Sequence, residues 1–128
     1  VHSNIYDPEY VVVVDETLLT AVDVTAGLKE DGAIIINSEK AGEELRPLLN
    51  GYKGKIYTID ARKISIAALG KYFPNMPMLA SIVKVAHVMD ENDFLDEMQG
   101  SFKHKFASKP EVIEGNMQAL RMALQEVK

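Results

Sequence analysis

Polar side chains follow three short apolar runs in this sequence, and they are the residues best placed to do chemistry. Asp15, Asn37 and Asp60 each come directly after such a run, and Glu16 and Ser38 extend two of these positions. In an open parallel sheet, ligands and active sites gather at the carboxyl ends of the strands. We therefore expect Asp15, Asn37 and Asp60 to contact a ligand or another chain, although each could instead cap a helix or form a turn.

Asn75 is a fourth candidate. It stands between Pro74 and Met76, ahead of an apolar pattern with helical spacing. Its amide either caps the following helix or faces a partner or ligand.

Familiar catalytic and metal-binding motifs are missing from the sequence. There is no cysteine, which excludes thiol nucleophiles and cysteine-ligated zinc or iron–sulfur clusters within these 128 residues. His2, His87 and His104 have no partner histidine three or four residues away, so we predict no metal site. Since G-x-S-x-G, G-x-G-x-x-G and phosphate-loop patterns are also missing, we predict no catalytic residue.

The apolar runs themselves are typical of buried parallel strands. They cover Tyr10–Val14, Ala33–Ile36 and Lys55–Ile59, and each ends at a polar residue. The stretches between them have the length of crossover connections, and alternation of strand and helix predicts an α/β domain. Three strands are few for a doubly wound sheet, so we expect upstream sequence or another subunit to complete it.

Two crossover helices have recognisable boundaries. Ser38 is a suitable cap for a helix over Ala41–Leu49, and Asp60 for one over Lys63–Leu69, which Gly70 then ends.

Three further helices are predicted after Pro74. Apolar residues recur at helical spacing within 78–86, 95–106 and 113–127. Pro77 and Pro110 suit first turns, and Asp90 or Asn92 suits the cap of the middle helix. The prediction is one domain, residues 1–128, with a three-layer α/β/α architecture, a mainly parallel sheet that is incomplete here, and C-terminal helices.

Composition and charge restrict the classes of partner. Hydrophobic residues make up 47% of the chain and charged residues 26%, as in ordinary globular domains. The formal charge of -5 argues against a nucleic-acid surface, and the apolar runs are too short to span a membrane. No secretory signal is visible, and the lack of cysteine fits a reducing compartment, so we predict a cytoplasmic location.

Two other interpretations stay open. Asp15 with Glu16, Asp60 and Lys109 resemble the acidic pocket, phosphoacceptor and lysine of receiver domains. A receiver, however, needs a strand directly before the lysine, where residues 102–105 favour a helix. A freestanding small-molecule binding module is the other alternative.

Several segments resemble the gamma subunits of the pyruvate and other 2-oxoacid:ferredoxin oxidoreductases. They extend in the same order over nearly the whole chain, and each is weak alone: residues 5–19 (IYDPEYVVVVDETLL), 22–29 (VDVTAGLK), 31–38 (DGAIIINS), 57–61 (YTIDA), 75–79 (NMPML) and 113–116 (IEGN). Two departures are visible. The family's glycine-rich opening segment does not precede residue 5, and Ala80 replaces a glycine common after the Met-Leu pair.

The resemblance implies a subunit that is non-catalytic by itself. Enzymes of this family oxidatively decarboxylate a 2-oxoacid such as pyruvate with coenzyme A, giving acyl-CoA, CO₂ and reduced ferredoxin. Thiamine diphosphate with Mg²⁺ and [4Fe–4S] clusters are expected on partner subunits of the alpha, beta and delta types. The gamma module would serve assembly and the access of substrate or coenzyme A, with Asp15, Asn37, Asp60 and Asn75 as contacts.

Overall fold

The computed structural model describes residues 10–26 and 28–128. His2, Gly27 and residues 5–9 of the family resemblance therefore lie outside the described residues. The described chain forms two compact units. The first contains the described residues up to Asp60 together with Lys128, and the second contains Ala61–Val127.

A three-stranded parallel sheet forms the centre of the first unit. Its strands are β1 (Tyr10–Val13), β2 (Ala33–Asn37) and β3 (Lys55–Ile59), hydrogen-bonded in the order β1-β2-β3. Both pairings are parallel. The α/β class and the parallel strands are confirmed, with boundaries within one residue of the predicted runs.

The register of the sheet brings the carboxyl ends of the strands level with one another. Val13 of β1 pairs with Ile36 of β2, and Asn37 of β2 pairs with Ile59 of β3. Polar residues that follow these positions therefore leave the sheet at the same edge.

One face of the sheet carries the apolar core of this unit. Alternate residues of a strand point to the same face, and Val11, Val13, Ile34 and Ile36 are all buried in one cluster. Leu19 of the short helix α1 (Leu18–Ala21) packs into this cluster. The other buried members lie in the connections between the three strands: Leu28, Leu45, Leu49 and Tyr52.

The predicted helix over Ala41–Leu49 is shorter than expected. Helix α2 covers Gly42–Leu45, and a 3₁₀ turn over Arg46–Leu48 follows it, with Pro47 in its first turn. Proline has no N–H to continue α-helical bonding, which accounts for the change of helix type. The prediction that Ser38 caps this helix is wrong, because the N-cap is Ala41 and no side chain caps it.

Four helices form the second unit: α3 (Ala61–Leu69), α4 (Asn75–Ala86), α5 (Glu91–Lys105) and α6 (Pro110–Glu126). Helix α6 packs against the other three. Within the described ranges, no helix is both long enough and apolar enough to cross a membrane.

The predicted boundaries of these helices are largely confirmed. Gly70 follows α3 with φ +76°, the left-handed conformation that glycine adopts without strain. Asp90 caps α5, since its carboxylate accepts the N–H groups of Asn92 and Asp93. Pro110 stands in the first turn of α6, as expected.

Candidate functional site

Asn37 joins the ends of two strands at the carboxyl edge of the sheet. It is the last residue of β2, and its half-buried side chain donates through Nδ2 to the carbonyl oxygen of Val14, 3.1 Å away. The bond spans 23 positions of sequence and holds the chain that leaves β1 against the end of β2. The amide therefore serves the architecture of the edge.

Ser38 makes a second set of links at the same edge. Its buried hydroxyl donates to Oε2 of Glu16 at 3.0 Å and accepts the N–H of Lys40 at 3.1 Å. Its backbone N–H donates to the carbonyl oxygen of Ile59, also at 3.0 Å. Ser38, which follows β2, thus connects the segment after β1 to the last residue of β3.

Asp15 begins the turn into α1 and is exposed. One carboxylate oxygen accepts the hydroxyl of Thr17 at 2.7 Å and its N–H at 3.0 Å. These two bonds stabilise the ionised form and hold the pKa of Asp15 below its ordinary value, the hydroxyl contributing most. The side chain is a turn former, and its charge faces water.

The other two predicted contacts follow β3 and open α4. Asp60 is half-buried and lies between Ile59 and Ala61, at the passage from β3 to α3. Asn75 is the exposed first residue of α4, and its N-cap is Pro74, with no side-chain capping bond. The prediction that Asn75 caps this helix is therefore wrong. Its second predicted role, as a contact, stays a prediction.

The sequence predicted the residues of this edge but not the bonds that connect them. The spacing of the apolar runs placed Asp15, Asn37 and Asp60 at strand ends. The partnership of Ser38 with Glu16 spans 22 residues, and the only local signal was that both follow strands. A pairing of this kind depends on sheet order and register, which the local pattern does not specify.

The described residues of this edge offer groups for contacts and hydrogen bonding. The hydroxyl proton of Ser38 is already donated to Glu16, and no histidine is present among residues 10–26 and 28–60 to activate it. The described residues contain no cluster of three or more His, Asp or Glu side chains that could hold a metal ion. The receiver arrangement is not formed either, because helix α5, and no strand, precedes Lys109.

A family model described as pyruvate ferredoxin/flavodoxin oxidoreductase matches residues 1–126. Among curated proteins, the chain is 37% identical over 128 residues to the pyruvate synthase subunit PorC of Thermotoga maritima, covering 100% of this chain and 65% of the relative. It is 35% identical over 126 residues to the pyruvate/ketoisovalerate oxidoreductases common subunit gamma of Pyrococcus abyssi, covering 98% and 65%.

A solved structure gives the same result for the fold. The crystal structure of the pyruvate oxidoreductase subunit PORC from Thermotoga maritima matches with a TM-score of 0.82 at 35% identity, covering 97% of this chain and 66% of that chain. The present chain therefore spans just under two thirds of the length of these relatives.

Proposed function

The chain belongs to the pyruvate ferredoxin/flavodoxin oxidoreductase family, and we propose that it acts as a gamma-type subunit of a 2-oxoacid:ferredoxin oxidoreductase. In this role it makes no bond itself. The complex oxidises a 2-oxoacid such as pyruvate with coenzyme A, and ferredoxin accepts the electrons. The observation that carries the proposal is the match over almost the whole chain to a protein named pyruvate synthase subunit PorC and to one named pyruvate/ketoisovalerate oxidoreductases common subunit gamma.

The cofactors of such a complex do not fit the donors that this chain offers. Iron–sulfur clusters of this kind need cysteine thiolates, and the 128 residues contain none. A Mg²⁺ ion with thiamine diphosphate needs a group of oxygen ligands, and the described residues form no acidic cluster. We therefore assign thiamine diphosphate, Mg²⁺ and [4Fe–4S] clusters to partner subunits of the alpha, beta and delta types, in a cytoplasmic complex.

The carboxyl edge of the sheet is our proposed contact surface in the first unit. Asn37 holds this edge in shape, while Asp15 presents an ionised carboxylate to water. Asp60 lies where the chain leaves β3 at the same edge. Rigid presentation of a charged group favours specific recognition, because less conformational freedom is lost on binding. Asn75 provides an exposed amide at the start of α4 for the same role.

The test is to isolate the protein gently from its source and weigh the assembly by native mass spectrometry. The expected result is a hetero-oligomer that contains thiamine diphosphate and iron, and that reduces ferredoxin when given a 2-oxoacid and coenzyme A. A chain that purifies alone, with no accompanying subunits, would contradict the proposal.

A matched pair of variants then tests the contact surface. Asp15→Asn keeps an acceptor oxygen for Thr17 but removes the charge, and we expect it to lower the yield of assembled complex. Glu44→Gln removes an exposed charge from α2 in the same unit, at a residue outside the four proposed contacts, and should leave the yield unchanged. Equal yields from both variants would remove Asp15 from the contact surface.

A further inference from the structure

A cavity of about 560 Å³ lies within the second unit. It is bounded by the connection from α3 to α4, by the end of α5 and by the start of α6. Sites for small ligands typically have volumes of about 300 to 1,000 Å³. The cavity is therefore large enough for a small organic molecule.

Lysines that form no salt bridge among the described residues line this cavity. Lys71, Lys105 and Lys109 line it together with one carboxylate, that of Glu111. Within the part of the chain that the structure describes, none of the three lysines forms a salt bridge. The lysines line this cavity although the chain as a whole is acidic, with 19 acidic residues against 14 basic ones. A positive cavity in an acidic protein concentrates anions.

The start of α6 adds to this positive field. Lys109 is the N-cap of this 17-residue helix, and its side chain makes no capping hydrogen bond. The N-terminal end of a helix carries a partial positive charge, which an anion stabilises, and Glu111 is the one carboxylate in this first turn. Lysines and helix terminus thus favour the same sign of ligand.

Aromatic rings form the apolar wall of the cavity. Phe102 lies in α5 and Phe106 directly follows its last residue, with ring centroids 6.2 Å apart, and Phe73 lies in the connection after α3. The ammonium group of Lys105 lies 5.7 Å from the centroid of the Phe106 ring. Apolar and cationic surfaces therefore meet at one place, which suits a ligand that has both an apolar body and a negative group.

Asn116 provides a directional polar group in the wall. The residue is only 6% exposed, and its Nδ2 donates to the carbonyl oxygen of Val112 at 2.8 Å. Its Oδ1 has no hydrogen-bond partner within the described residues and is not completely buried. Asn116 lines the cavity and so adds an uncharged polar residue to its wall.

We propose that this cavity binds a small organic anion with an apolar, ring-containing body. Lys71, Lys105 and Lys109 attract the negative group, and the phenylalanine rings cover the body. The proposal goes beyond the subunit role and does not depend on it, because it rests on side chains of the second unit alone.

Three probes separate the contributions of charge and apolar body. Isothermal titration of the purified protein in its native assembly is done with 4-phenylbutyrate, with 4-phenyl-1-butanol and with acetate. We expect 4-phenylbutyrate to bind with one site per chain, and to bind at least roughly tenfold more tightly than either the neutral alcohol or acetate. Its affinity should fall as salt is added, because exposed charges are screened.

Lysine variants locate the binding within the protein. Lys105→Gln and Lys109→Gln should each weaken 4-phenylbutyrate roughly threefold, and together roughly tenfold, as expected for partly solvated charge pairs. Lys103→Gln is the matched control, since Lys103 is an exposed lysine of α5 that does not line the cavity. Circular dichroism melting of each variant shows that the fold is retained.

The outcomes decide the proposal in either direction. Selective binding of 4-phenylbutyrate that the cavity lysines weaken and Lys103→Gln does not would support it. No binding of 4-phenylbutyrate, equal binding of the neutral alcohol or of acetate, or equal effects of cavity and control variants would overturn it.

Discussion

The side-chain amide of Asn37 donates to the carbonyl oxygen of Val14 across 3.1 Å, and so joins the carboxyl ends of β2 and β1. The register already brings these strand ends level, since Val13 pairs with Ile36 one position earlier. The amide extends the pairing of the two strands by one position beyond their last backbone partners. The edge that we propose as a contact surface is therefore held in place by the fold before any partner binds.

Removal of this amide should destabilise the protein. For Asn37→Ala we expect a loss of about 1 kcal/mol in the free energy of unfolding, the ordinary value of a half-buried hydrogen bond. Urea unfolding followed by circular dichroism measures it. Asn75→Ala is the control, because Asn75 is exposed and makes no capping bond, and its effect should stay within about 0.5 kcal/mol. Equal losses in the two variants would argue against a structural role for the Asn37 amide.

The carboxyl group of Asp15 should titrate below the ordinary aspartate range. The Thr17 hydroxyl and N–H stabilise its ionised form, so its pKa in the folded protein is lowered from 3.8. A lowered pKa means that the contribution of these bonds to stability is present above the unfolded pKa and is lost as the pH falls through the folded one. Carboxyl chemical shifts recorded by NMR between pH 2 and pH 6 give the value directly.

Thr17→Ala removes the hydroxyl while leaving the backbone donor, and should move the pKa of Asp15 upward. Asp23 has a similar pair of bonds from Thr25, and its pKa should not respond to this substitution. An Asp15 titration that Thr17→Ala leaves unchanged would show that the hydroxyl does not hold the charge.

Tyr52 makes part of the stability of the first unit sensitive to alkaline pH. The residue is buried, its hydroxyl donates to the carbonyl oxygen of Lys29 at 2.7 Å, and burial, with the nearby Asp31 charge, raises its pKa above 10.0. The folded state thus keeps the phenol proton at a pH where the unfolded chain loses it. Stability should be complete below about pH 10 and fall as the pH rises further.

Tyr52→Phe isolates this effect. It should cost about 1 kcal/mol at pH 7 through the lost hydrogen bond. It should also flatten the decline of the urea midpoint as the pH rises above about 10. If the urea midpoint of Tyr52→Phe declined as steeply at alkaline pH as that of the parent protein, groups other than Tyr52 would be responsible for the loss of stability.

The sequence predicted the elements of this fold better than the connections between them. Continuous apolar runs such as Ala33–Ile36 identified buried strands, because a parallel strand covered on both faces needs apolar residues on both. The predicted end of the second-strand crossover helix, Leu49, was wrong. The α-helix ends at Leu45, and the 3₁₀ turn that contains Pro47 follows it. Local pattern thus fixes the type of an element more firmly than its limits.

Features that depend on tertiary packing were out of reach. Lys105 and Lys109 are four residues apart in the sequence, but Lys105 ends α5 and Lys109 is the N-cap residue of α6. Because they belong to different helices, helical spacing does not predict that they line the same cavity. Their cavity also needs Lys71, which lies more than thirty residues earlier in the chain. The link from Ser38 to Glu16 was missed for the same reason, because it exists only once the order of the strands is known.

Two glycines within helices should respond in opposite directions to alanine. Gly100 lies within α5, and a Cβ atom there would meet nothing within 4 Å. Gly115 lies within α6, and a Cβ atom there would come within 2.9 Å of both the carbonyl oxygen of Ala68 and a methyl carbon of Leu69. The same substitution therefore acts on helix propensity alone at one site, and on the packing of α6 against α3 at the other.

Gly100→Ala should raise the free energy of unfolding by about 0.5 to 1 kcal/mol, because alanine loses less backbone entropy in a helix than glycine. Gly115→Ala has the same favourable term, but the new methyl group overlaps a backbone oxygen that cannot rotate away. Overpacking costs about 1 to 3 kcal/mol, so the net change should be destabilising by about 1 kcal/mol. Urea unfolding of both variants beside the parent protein gives the two signs. Stabilisation by Gly115→Ala equal to that by Gly100→Ala would mean that α3 and α6 separate easily, and the close approach at Gly115 would then contribute nothing to the packing of the second unit.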